Sequence, residues 1–133
     1  MAISKDFFTY STGRFAIAPA AAVTQNIAIQ ADADFEVIKL TYSADVAGAA
    51  ITNNTYPIPN VTVLITDSGS GRQLMNVAVP LETLFGIGKE PFILPQPRIL
   101  SARSNIAITV TSFEAANTNN ISFSLVGNKI FTY

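Results

Sequence analysis

Three carboxylates at alternate positions, Asp32, Asp34 and Glu36, are the first residues of this chain whose type and spacing could do chemistry. Alternate side chains of an extended segment leave on one face, so the three would present the oxygen ligands that hard cations such as Ca²⁺ take. The spacing does not match an EF-hand loop, and Asp favours turns on its own account, so a solvated turn competes with a cation site. Asp67-Ser-Gly-Ser-Gly-Arg72 has the glycines of a phosphate-cradling loop without the Gly-Lys-Ser/Thr ending or a long helix after it. A hairpin turn is the simpler reading. Glu36, Asp67, Glu82, Glu90 and Glu114 could furnish a glycosidase pair, which needs two carboxyls about 5 to 10 Å apart across a cleft, but no motif singles out two of them. The chain has no His and no Cys. It therefore cannot build the common zinc sites, Ser-His-Asp triads, Cys-His dyads or disulfides from its own residues. We assign no catalytic, cofactor-binding or metal-binding residue and expect a protein that is not an enzyme.

Composition narrows the partners. Of 133 residues, 49% are hydrophobic and 13% charged, with a net charge of -1. An average globular protein carries about 25% charged residues, so this surface is largely neutral and has little electrostatic defence against association. No basic run offers the counterion release that drives nucleic-acid binding, and DNA and RNA are not expected partners. No stretch approaches the roughly 18 apolar residues of a membrane span, so no membrane is expected either. The start, Met-Ala-Ile-Ser-Lys-Asp-Phe-Phe, lacks the order of a signal peptide, which points to synthesis in a cytosol. Asn53, Asn60 and Asn120 begin sequons that arise from composition in that setting.

The elements that must position these residues read as strands. Val23 to Gln30 alternates, with Val23, Ile27 and Ile29 on one side. Asp32 and Asp34 bracket a turn into Phe35 to Ser43, where both faces carry apolar groups. Either a bulge swaps the faces midway or the strand is covered on both sides; we expect the double cover, supplied by a terminal arm or a partner subunit. Val61 to Asp67 turns inward at Val61, Val63 and Ile65, and its Gly-rich turn suggests a hairpin into Leu74 to Val79. Pro80 to Gly86 suits one short helix. Pro91, Pro95 and Pro97 confine Phe92 to Leu94 and Arg98 to Ala102 to edge pieces. Asn105 to Ser112 alternates cleanly, as do Ile121, Phe123 and Leu125, and Gly127 marks a bulge or bend. About eight strands without a long helix argue for a single all-β domain, an antiparallel β-sandwich of jelly-roll type, over residues 14–133. An immunoglobulin-like sandwich is the main rival, and it lacks its Trp and Cys signature here.

Residues 1–13 read as an extended N-terminal arm. Its aromatics Phe7, Phe8 and Tyr10, with Tyr56 and with Phe131 and Tyr133 at the other end, are candidate partner-binding residues; folding back onto their own domain is the competing reading. Asp45 to Asn60, with its Gly, Asn and two prolines, is a loop of a length that is usually functional or mobile. Tyr42, Tyr56, Phe85, Phe92 and Tyr133 could alternatively line a sugar-binding groove.

Several runs together resemble the small structural virion proteins of tailed bacteriophages: I-Q-A-D-A-D-F-E-V-I-K-L-T, V-T-V-L-I-T-D-S-G-S-G-R-Q-L-M-N, L-F-G-I-G-K-E-P-F-I-L-P-Q-P-R-I-L, N-I-A-I-T-V-T-S-F and I-S-F-S-L-V-G-N-K-I-F. The likeness runs from about Ile27 to Phe131 and is nearest to decoration or cement proteins. It implies a non-enzymatic protein on the exterior of a capsid, bridging copies of the major capsid protein as a homo-oligomer, a dimer or trimer. Asp45 to Pro59 fits that pattern less well and suggests an elaboration that contacts a capsid or a neighbouring copy.

Overall fold

The structure is a computed structural model that describes residues 3–46, 59–68, 71–87, 90–116 and 118–132. Ten strands and one helical turn form among them: β1 (Ile3–Ser11), β2 (Phe15–Ile17), β3 (Ala22–Ala28), β4 (Asp34–Val46), β5 (Val61–Asp67), β6 (Arg72–Gln73), β7 (Val79–Pro80), α1 (Leu81–Leu84), β8 (Phe92–Leu100), β9 (Asn105–Ser112) and β10 (Asn119–Thr132). Two antiparallel sheets face each other. One has the order β1-β10-β4-β8, with β2 also on β10; the other has β3-β9-β5-β6, with β7 also on β5.

Ten strands stand in place of about eight because two positions are each split. β1 and β2 occupy successive stretches of one edge of β10, and β6 and β7 do the same beside β5. Counted once each, the eight positions pair first with eighth, second with seventh, third with sixth and fourth with fifth. That is a long hairpin rolled into two sheets, the jelly roll. The expected strand from Leu74 to Val79 is corrected to bends between β6 and β7. Leu74 and Met75 are adjacent and both pack against the core, which a flat strand with its period of two does not allow. The Met75 Sδ accepts the Ile65 N–H at 3.2 Å where the ladder is interrupted.

The double cover expected for Phe35 to Tyr42 is also corrected. Phe35 and Val37 point into the core, and then Leu40, Tyr42 and Ala44 do, so the inward set changes parity within the strand. Ile38 is the extra residue: Val126 and Gly127 of β10 pair with Lys39 and Val37 on either side of it. On the other flank the four residues 94–97, with Pro95 and Pro97, bow outward opposite the same bulge. A bulge of this kind lets one strand send apolar residues from both parities into a single core. Gly127 sits against it because any Cβ there would overlap the Glu36 carbonyl oxygen. The core between the sheets holds Ile17, Phe35, Leu40, Ile65, Ile108 and Phe123, all fully buried. Each contributes roughly 1.5–3 kcal/mol from burial.

Candidate interaction surface

Residues 3–11 of the expected arm form the edge strand β1, paired with β10 in one unbroken register from Ile3 opposite Thr132 to Ser11 opposite Ser124. Adjacent aromatics of a strand must diverge, and Phe7 and Phe8 do. Phe8 and Tyr10 turn inward, where their rings meet edge to face at 4.8 Å, and Tyr10 meets Phe35 at 4.8 Å. The Gln30 N–H donates to the Tyr10 hydroxyl at 3.0 Å, and the Lys129 ammonium lies 4.1 Å from the Phe8 ring centre. Phe7 turns outward and is 73% exposed.

Phe7 is one member of an apolar set on the outer face of the four-strand sheet. The registers place it in a row with Asn128, Glu36 and Ile99, and the next row runs Thr9, Val126, Lys39 and Ile93. Ile3, Ile93 and Ile99 are 63%, 60% and 49% exposed, and Val126 and Ile130 are partly so. Between them the Lys5 ammonium reaches over β10 to the Glu36 carboxylate at 3.3 Å, and the Asn128 amide donates to the same oxygen at 3.5 Å. An exposed pair of this kind contributes about 1 kcal/mol or less, so the face is held flat by its ladders more than by its charges.

The acidic run is dispersed. Asp32 accepts from the Lys129 ammonium at 3.1 Å, Asp34 from the Ala102 N–H at 2.8 Å, and Glu36 from Lys5. Each carboxylate is thus tied to a different element, and the described residues contain no group of three or more His, Cys, Asp or Glu placed to hold a metal ion. Asp45 accepts from the Asn120 amide at 2.9 Å and from Arg14 at 2.6 Å. The Asn120 hydrogen bond, with the Arg14 guanidinium adding to it, holds the Asp45 carboxyl below its ordinary range. Burial pushes the Tyr42 hydroxyl up, and the Glu82 carboxylate pushes in the same direction.

A second feature opens between the sheets where β6 and β7 leave the sandwich incomplete. It is a groove of about 650 Å³ with Leu40, Leu74, Leu84 and Leu94 toward the core and Gln73, Gln96, Arg72, Arg98 and Phe92 around them. The buried Asp67 carboxylate, at its wall, pairs with Arg98 at 3.5 Å.

Of the expected partner-binding residues that fall among the described residues, only Phe7 stands fully open. Phe8 is half-buried, Tyr10 is core, and Phe131 is half-buried opposite Ser4. Tyr56, Tyr133 and the centre of the Asp45 to Asn60 loop lie outside the described residues. Reading the chain alone misses Ile93 and Ile99, because only the β1-β10-β4-β8 ladders bring them to the same face as Phe7. No family model, no curated protein and no solved structure matches this chain.

Proposed function

We propose that this protein is a non-enzymatic virion component that binds the exterior of a phage capsid and stabilises it by bridging major capsid protein subunits. The observation that carries the reading is the outer face of the β1-β10-β4-β8 sheet, where Ile3 and Phe7 on β1 and Ile93 and Ile99 on β8 stand exposed on the same side, with the partly exposed Val126 and Ile130 of β10 between them. Exposed apolar residues gathered on one rigid face are the form that protein docking surfaces take, and a low-charge surface favours such contact. The phage-like sequence runs and the jelly-roll topology fit the same role.

The test uses heads of the phage that encodes the chain, stripped of it and then mixed with purified protein. Wild type should sediment with the heads at a fixed stoichiometry. The double variant Ile93→Asp, Ile99→Asp, which alters no core residue and leaves β1 intact, should bind at least tenfold more weakly with an unchanged unfolding midpoint. Equal binding by that variant would remove this face from the account.

A carbohydrate- or receptor-binding module of a fibre or appendage is the second reading, and the groove beside β8 favours it. A volume of about 650 Å³ falls within the usual range of ligand clefts, and Gln73, Gln96, Arg98 and Phe92 offer hydrogen bonds and a ring for a sugar. Binding on a glycan array that Gln96→Ala and Phe92→Ala abolish would favour this second reading over the first.

A further inference from the structure

The edges of a jelly roll are where it can be extended, and the three longest edge strands here differ. β8 is guarded by Pro95 and Pro97 and by the bow between them. β3 presents only the small or polar side chains Ala22, Thr24, Asn26 and Ala28 along its exposed positions. β1 is nine residues long, contains no proline and has no register shift, and it carries the exposed Phe7 at its midpoint.

Hydrogen-bond phase decides what β1 offers. The Thr12 N–H donates to the Phe123 carbonyl at 3.0 Å, in the same register as the rest of the β1 and β10 ladder. Bonded and non-bonded pairs alternate in an antiparallel ladder, so the even residues of β1 bond to β10 and the odd ones, 3, 5, 7, 9 and 11, aim their N–H and C=O groups at the open edge. The far side of β10 agrees. The Tyr42 N–H donates to Gly86 and the Gly86 N–H to Leu40, so residues 40 and 42 face away from β10, and residue 41 bonds to Ser124.

We propose that β1 pairs antiparallel with β1 of a second copy of this chain, with Phe7 on the two-fold axis. Ile3 to Ser11 is centred on Phe7, so this register alone uses the whole strand: Phe7 faces Phe7, Lys5 faces Thr9 and Ile3 faces Ser11 of the second copy. All five are odd-to-odd pairs, which yields ten backbone hydrogen bonds. No like charges oppose one another, since Lys5 meets Thr9 and Asp6 meets Phe8. The two outer faces join into one continuous sheet, and the two Phe7 rings cover each other on it. This deepens the oligomer part of the proposed function, and its test reads the purified chain alone, so its failure and the failure of capsid binding are separate results.

Because the chain has no cysteine, single cysteines report the register without background. A hydrogen-bonded antiparallel pair holds its Cα atoms about 5.5 Å apart, inside the range a disulfide spans. Under mild oxidation Phe7→Cys should give mostly covalent dimer. Lys5→Cys alone should not, because its copies sit about 14 Å apart along the strands, whereas Lys5→Cys mixed with Thr9→Cys should cross-link. Wild type should sediment as a dimer and Thr9→Pro as a monomer, since the N–H lost at Thr9 faces the open edge and not β10. Circular dichroism of Thr9→Pro keeps that comparison fair, and Thr9→Val, which keeps the N–H and adds no charge opposite Lys5, should remain dimeric. A monomeric wild type at several hundred micromolar with no Phe7→Cys dimer overturns the proposal. So does Lys5→Cys cross-linking alone as readily as Phe7→Cys.

Discussion

At the scale of single residues, the fold depends on a few positions where the alternation is broken on purpose. Gly127 is one: it faces the Ile38 bulge, and a side chain there would strike the Glu36 carbonyl. Gly127→Ala should lower stability by about 2–3 kcal/mol, read as a shifted urea midpoint, since a packed backbone can yield only by moving a strand. A near-neutral result would mean that the bulge is not closed against β10. Asp45 supports a pH prediction. Its carboxyl is held below the ordinary range, so its stabilising contribution is present at and above that range and is lost as pH falls through the lower folded value. The stability difference between wild type and Asp45→Asn should therefore shrink as pH drops below about 4, the unperturbed Asp value. A difference that stays constant down to pH 2 would deny the Asn120 and Arg14 contacts their role.

At the scale of elements, clean alternation made strands such as β5 and β9 legible, because their inward residues, Val61, Val63 and Ile65 or Ile106, Ile108 and Val110, keep one parity throughout. β4 was half legible. Its apolar residues of both parities required a bulge or a second cover, and the choice rests on pairing with Gly127 and with the bow at 94–97, which lie about 90 and more than 50 residues away in the chain. The N-terminal segment was legible as extended but not as integral, since its two neighbouring phenylalanines look equally suited to an arm. Pairing with β10 decides it, and Tyr10 then enters the core beside Phe35. Deleting residues 1–11 should consequently abolish cooperative unfolding, not merely binding, because it strips Phe8 and Tyr10 from the core and bares β10. A truncated chain with a native near-ultraviolet spectrum and a sharp thermal transition would show that β1 is dispensable.

At the scale of the whole molecule, two unlike features stand open among the described residues: an outer sheet face bounded by β1 that carries exposed apolar side chains around the Lys5–Glu36 pair, and a mixed groove beside β8. The face was not legible in the chain, because Phe7, Ile93 and Ile99 are far apart in sequence and gather only through the ladders. Such a face suits a flat protein partner, and β1 at its rim supplies a two-fold way to double it. The proposed capsid attachment uses the exposed Ile3, Phe7, Ile93 and Ile99 of this face. The most direct measurement is a cryo-EM map of the native particle. Density on the outside of the head should accept this jelly roll with Phe7, Ile93 and Ile99 turned toward capsid protein. A head that lacks the chain, or the chain seated at a fibre tip with its β8 groove outermost, would contradict that account.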